Sequence, residues 1–193
     1  IPDHLLDSLR GYSINISVCC YDDGSKDDSW PILERLKEEY SKAVAGIDDK
    51  HKIPSTLLIQ KSPDNVARGA GYARNRAIEL HSLEKTESSS EKILRFLCLL
   101  DSDDTMHRHR IAEQTNYMLQ LKAEDRYLTL LGCTFDRDPP DSTWHYSRWA
   151  NTLSDERLML ERFREVTILQ PTWFLCRSRW SNLGGYIEAP PPG

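Results

Sequence analysis

The sequence predicts an α/β domain. Three observations carry that expectation. Strand-like and helix-like segments alternate along the chain, an apolar run interrupted only by Arg95 spans Leu94 to Leu100, and short acidic turns follow two of the strand-like segments. An apolar run of this kind suits a central strand covered on both faces, and the alternation favours a largely parallel sheet. The chain has 193 residues, 39% hydrophobic and 28% charged, which is the size and composition of one soluble globular domain.

Each element can be read in turn. Asp3 to Arg10 resembles the end of a helix stopped by Gly11, and Ile14 to Tyr21 is a short β-branched strand. After the loop Asp22 to Asp28, Ser29 is placed to cap a helix with Pro31 in its first turn, and Leu33, Leu36, Tyr40 and Ala43 recur at helical spacing to face the sheet. Thr56 to Gln60 is a second strand. Ala70, Ala73, Ala77 and Leu80 mark a close-packing helix, and the Ser-rich stretch Thr86 to Ser90 reads as a surface insertion. The central strand Leu94 to Leu100 precedes a helix from about Arg108 to Lys122 and a strand near Tyr127 to Cys133. Asp138-Pro139-Pro140-Asp141 breaks the pattern. A short helix, an apolar segment from Val166 to Leu175 and a loop at Gly184-Gly185 complete it.

The formal charge of −5 and a pI near 5.7 argue against a general nucleic-acid binder. A local basic face is still conceivable in His107-Arg108-His109-Arg110 and in Arg148, Arg157, Arg162, Arg164, Arg177 and Arg179; helix arginines paired with nearby acids are the plainer reading. No run reaches the roughly 18 apolar residues of a membrane-spanning helix. Cys19, Cys20, Cys98, Cys133 and Cys176 lack metal-ligand spacing and read as buried free thiols of a reducing compartment. The sequon at Asn15 falls in a strand-like segment and carries little weight.

Three motifs carry chemistry. Leu99-Leu100-Asp101-Ser102-Asp103-Asp104 sets carboxylates at the carboxyl end of a strand, where open α/β sheets bind ligands. Crowded carboxylates need a balancing cation, and a divalent metal shared with substrate phosphates supplies one; a helix cap with solvated acids is the competing reading. Asp22-Asp23-Gly24-Ser25 follows another strand, so a carboxylate there can accept from a uracil ring N–H, or the segment is an ordinary turn. Arg68-Gly69-Ala70-Gly71-Tyr72-Ala73-Arg74-Asn75 has the glycines of a phosphate-cradling helix start, or of plain helix packing; it is neither a Walker A loop nor a full dinucleotide fingerprint.

Taken in this order, the three motifs resemble those of the family-2 glycosyltransferases. The resemblance implies a GT-A, Rossmann-like nucleotide-sugar-binding sheet with flanking helices, forming a single glycosyltransferase-2-like domain over residues 1–193. Carried over by position, it implies that Asp23 contacts uracil and Arg68 the base or diphosphate. Asp101 and Ser102 then lie on the ribose side, and Asp103 with Asp104 holds a divalent metal, Mn²⁺ or Mg²⁺. Later blocks narrow the resemblance: Gly132-Cys133, Arg137-Asp138-Pro139-Pro140-Asp141-Ser142-Thr143, Tyr146-Ser147-Arg148-Trp149 and Pro171-Thr172-Trp173-Phe174. They are similar to the eukaryotic β-1,3-N-acetylglucosaminyltransferase-like proteins associated with queuosine-tRNA galactosyltransferase activity. That similarity implies UDP-galactose as donor and queuosine in a transfer RNA as acceptor, with Arg148, Trp149 and Trp173 on the acceptor side. It also implies a cytoplasmic location, with the Golgi lumen as the alternative.

The same resemblance leads to the expectation that the domain is cut away at both ends. It places a central strand before Ile1 and the general base of an inverting transfer beyond Gly193, with Glu188 a poor substitute. A 193-residue piece made alone is then expected to be unstable and inactive. Rival readings are the same fold acting on a glycan, lipid or protein acceptor, a non-catalytic nucleotide-sugar-binding protein, and, more remotely, a nucleotidyltransferase.

Overall fold

A computed structural model describes residue 9 and residues 11–47, 53–83 and 93–188. The expected helix over Asp3 to Arg10, apart from Leu9, and the expected insertion over Thr86 to Ser90 lie outside these residues. The chain divides into two compact units, one of residues 11–92 with 184–193, the other of residues 1–10 with 93–183.

In the first unit, β1 (Ile16–Asp22) and β2 (Ser55–Lys61) form a parallel pair, in register from Ile16 opposite Ser55 to Asp22 opposite Lys61. Parallel neighbours need a crossover, which α1 (Ser29–Ala45) provides before packing on β2. The helix begins differently from expectation. Asp28 occupies the cap position, Ser29 is the first helical residue, and the Ser29 N–H donates to Asp27 Oδ1 at 3.0 Å. Its inner face is also rotated: Trp30, Leu33, Tyr40 and Val44 are half-buried, whereas Leu36 and Ala43 are exposed. The helix α2 (Ala70–Leu83) covers β1 and β2, with Leu80 buried and Tyr72 set edge-on to Tyr21 at 5.9 Å.

The second unit is built on a three-stranded antiparallel sheet, β3 (Phe96–Cys98), β5 (Phe174–Cys176) and β4 (Leu130–Leu131), in the order β3-β5-β4. The expected single, largely parallel sheet is therefore seen as a parallel pair and an antiparallel trio. The central strand of the trio is the fully buried β5, not the run Leu94–Leu100. Only three residues of that run are strand, at an edge, and Leu94 and Leu100 are exposed. Phe96 stacks on Phe174 at 5.2 Å, and Met118, Phe174 and Cys176 form a core with Cys98, Leu121 and Leu131.

Met118 comes from α3 (Arg110–Gln120), which runs shorter than the expected helix over Arg108 to Lys122. Its last carbonyls are met by an arginine: Arg126 Nε donates to Met118 O at 2.6 Å, and Nη2 to Leu119 O at 3.1 Å and Leu121 O at 2.8 Å. Arg126 belongs to α4 (Ala123–Leu128), so the strand expected from Tyr127 to Cys133 is a helix end followed by the two residues of β4. Acids in its first turn, Glu124 and Asp125, suit a helix start and outweigh the apolar tail. Then come α5 (Trp144–Asn151), α6 (Asp155–Leu160) and, after β5, α7 (Arg177–Leu183). Among the described residues the cysteines form no disulfide, but only Cys176 is buried and Cys133 is exposed, which departs from the expectation of buried thiols.

Candidate functional site

The acidic turn after β1 is tightly built. Asp22 is 5% exposed; its Oδ1 accepts from the Ser25 N–H at 2.8 Å, and its Oδ2 is buried without a hydrogen bond. Asp23 Oδ2 accepts from two main-chain groups just ahead of α2, the N–H of Arg68 at 2.6 Å and of Gly69 at 2.6 Å. Its Oδ1 is buried and accepts nothing. A buried carboxylate oxygen without a donor is costly, so this atom is a natural acceptor for a ligand N–H or O–H. Gly24, at φ +87°, lies against the backbone of Asn65, where an added Cβ would come within 2.7 Å of its carbonyl carbon and oxygen.

Residues 62–69 face this turn. The Ser62 N–H donates to Asp22 O at 2.8 Å, and Asp64 gathers the loop: its Oδ1 accepts from Ser62 Oγ at 2.9 Å, from the Val66 N–H at 3.2 Å and from Arg68 Nη1 at 2.9 Å. Asp64 Oδ2 pairs with Arg68 Nη2. The Arg68 guanidinium holds the Asp64 carboxyl below the usual carboxylate range and is itself shifted upward by Asp64. Arg68 Nη1 also donates to Val66 O at 3.0 Å, and the guanidinium lies 5.2 Å over the Tyr72 ring. The side chain expected at the base or diphosphate is thus folded back on its own loop.

The glycines of the Arg68–Asn75 motif divide. Gly69 has φ +95° and donates to Asp23, while an added Cβ on Gly71 would meet Ile187 O at 3.0 Å, so Gly71 serves close packing. Asn75, 7% exposed, holds that returning segment: Nδ2 donates to Tyr186 O at 3.0 Å and Oδ1 accepts from the Tyr186 N–H at 2.9 Å. Glu188 is tied to Asn75 at 2.9 Å and Arg76 at 2.8 Å, which hold its carboxyl below the ordinary glutamate range and make it a weak proton acceptor.

In the second unit the Asp101–Asp104 segment leaves β3 through a turn closed by the Asp104 N–H on Asp101 O at 3.2 Å. Asp101 is half-buried, and Ser102, Asp103 and Asp104 are exposed. The strand exit is fixed from α3: buried Arg110 donates through Nη2 to Leu99 O at 3.0 Å and through Nε to Gln114 Oε1 at 3.0 Å. Gln114 Nε2 in turn donates to Gly132 O at 3.2 Å and Thr172 O at 3.2 Å. Arg110 is therefore internal scaffolding, not part of a basic face.

Among the described residues, no group of three or more His, Cys, Asp or Glu side chains is placed to hold a metal ion alone. Asp103 and Asp104 nonetheless fit a divalent cation. They are exposed, make no ion pair among the described residues, and offer hard oxygen ligands of the kind that share Mn²⁺ or Mg²⁺ with phosphate.

Of the residues expected on the acceptor side, Trp149 lies in a row of aromatic rings with Tyr146 and Phe135. Trp149 Nε1 donates to Glu161 Oε2 at 2.8 Å, Tyr146 lies 5.7 Å from Trp149 and 6.0 Å from Phe135, and the Tyr146 hydroxyl donates to Val166 O at 2.7 Å. Arg148 is exposed, and half-buried Trp173 donates through Nε1 to Ile168 O at 3.0 Å. Sequence reasoning missed Asp64, Ser62, Gln114 and Glu161, single polar residues in loops or helices with no motif around them, and gave Asn75, inside the Arg68–Asn75 motif, no role of its own. A local signal existed for Asp64, four residues before Arg68, and for Glu161, four residues after Arg157.

Among the described residues no helix is long and apolar enough to cross a membrane. Residues 3–183 match a family model described as glycosyl transferase family 2. No solved structure gives a significant match.

Proposed function

Because the chain belongs to glycosyl transferase family 2, whose α/β fold is of the GT-A, Rossmann-like class, we propose that it moves galactose from UDP-galactose to queuosine in a transfer RNA. The observation that carries the donor half is the buried, unpartnered Oδ1 of Asp23, whose other oxygen is anchored by two main-chain N–H groups. Fixed in this way, the carboxylate is preorganised to accept from the N3–H of uracil. Asp101 and Ser102 take the ribose side, Arg68 borders the base, and Asp103 with Asp104 holds Mn²⁺ or Mg²⁺. The metal, when bound, neutralises the diphosphate leaving group as its bond to the sugar breaks. Arg148, Trp149 and Trp173 serve the acceptor, where half-exposed rings suit stacking on unpaired bases. The sequence blocks from Gly132 to Phe174 support this acceptor.

The test is UDP binding by calorimetry in the full-length protein, with and without Mn²⁺. Asp23→Asn is expected to weaken UDP roughly 10- to 100-fold, the worth of a charge-assisted hydrogen bond. Asp103→Ala is expected to abolish the strengthening of UDP binding by Mn²⁺. Unchanged binding in both variants removes the donor site. Incorporation of labelled galactose into queuosine-containing transfer RNA tests the acceptor; label entering a glycan, lipid or protein instead moves the activity to that class.

A further inference from the structure

We propose that Asp64 is a positioning residue for donor recognition, and that Arg68 serves the donor through its main-chain N–H, with its guanidinium engaged in bracing the loop. The proposal rests on Asp23 as the uracil contact. Four groups converge on Asp64 from its own loop: Ser62 Oγ, the Val66 N–H, and both terminal nitrogens of Arg68. An isolated surface ion pair contributes little, but here the carboxylate also closes the loop on itself through neutral donors. Arg68 completes the closure by donating to Val66 O at 3.0 Å.

The loop is pinned where it matters. At one end the Ser62 N–H holds Asp22 O, and Gly24 admits the Asn65 backbone at close range. At the other, the N–H groups of Arg68 and Gly69 meet on Asp23 Oδ2. These two bonds decide which Asp23 oxygen is engaged and which is left for a ligand. A brace that fixes residues 64–68 therefore fixes the orientation of the reading carboxylate. Discrimination follows, because uracil presents a donor at N3 where cytosine presents a lone pair, and a site built around an N–H rejects the analogue that lacks it.

The test uses the full-length protein and measures the dissociation constants of uridine, UDP and CDP. Asp64→Ala and Arg68→Ala are each expected to weaken uridine and UDP by the same factor, roughly five- to tenfold, and to lower the UDP-over-CDP preference. The double variant is expected to lose no more than either single one, since both remove one brace. Asp64→Asn, which keeps an acceptor for Val66 and Ser62, is expected to fall between, and serves where the alanine variant is too unstable to purify. A purely structural role predicts a lower melting temperature with the UDP-over-CDP preference intact, and that result overturns the proposal. So does an Arg68→Ala variant that loses UDP but keeps uridine, which marks a direct diphosphate contact, or one that binds all three normally. Asp23→Asn is measured alongside: an unchanged preference there defeats the donor reading itself, whereas a changed preference with normal Asp64 and Arg68 variants defeats only the brace.

Discussion

At the scale of single residues, the turn after β1 depends on what its glycine lets in. The φ of +87° and the missing Cβ of Gly24 admit the backbone of Asn65. Gly24→Ala is therefore expected to cost about 1–3 kcal/mol, from a left-handed non-glycine residue and a backbone that must move aside. Urea unfolding measures this, and a variant as stable as the parent would show that the turn relaxes freely. Asp23 was legible because acids after a strand are conspicuous. Its hydrogen-bond state was not, since both donors to Oδ2 are main-chain groups more than forty residues away.

At the scale of elements, the sequence is most readable where a helix carries its own stop and start signals, and least where packing decides. The helix α2 and the parallel strands β1 and β2 follow the periodicity closely. The run Leu94–Leu100 does not, because an apolar stretch reports burial without reporting a neighbour, and β5 occupies the centre. Buried polar clamps such as Arg110 with Gln114 are equally silent: their partners are the carbonyls of Leu99, Gly132 and Thr172, main-chain groups outside the helix that no side-chain pattern marks. The junction between α5 and the short helical turn Glu161–Phe163 is another case. Glu161 accepts from Trp149 Nε1 at 2.8 Å and Arg157 Nε at 2.5 Å, and its carboxyl is held below the ordinary 4.5, first by Arg157 and then by the Trp149 N–H. A lowered carboxylate stabilises the junction at neutral pH, and that stabilisation is lost as pH falls below 4.5 through the lowered value. Trp149 fluorescence, taken as the difference from a Trp149→Phe variant, is expected to change over that acid range, and Glu161→Gln to abolish the change. An identical acid transition in Glu161→Gln assigns it to another group.

At the scale of the whole molecule, the family match runs through both compact units. The alternating pattern conveyed the α/β class but not the division into two small sheets, because strand direction depends on partners far away in sequence. Charge is a whole-molecule property that bears on the acceptor. The chain carries −5, and Arg35, Arg68, Arg76, Arg157 and Arg164, five of its 25 Lys and Arg residues, are each ion-paired with a neighbouring acid, so part of its positive charge is neutralised internally. A transfer RNA held by such a surface must be held mainly by stacking and shape, with few phosphates neutralised. Each phosphate contact to a single-stranded segment contributes about −0.7 to the slope of log affinity against log salt. Binding of queuosine-containing transfer RNA is therefore expected to show a slope no steeper than about −2, corresponding to three contacts at most. Filter binding between low and moderate salt measures it. A slope near −5 would require a basic track of about seven phosphates and would overturn this expectation.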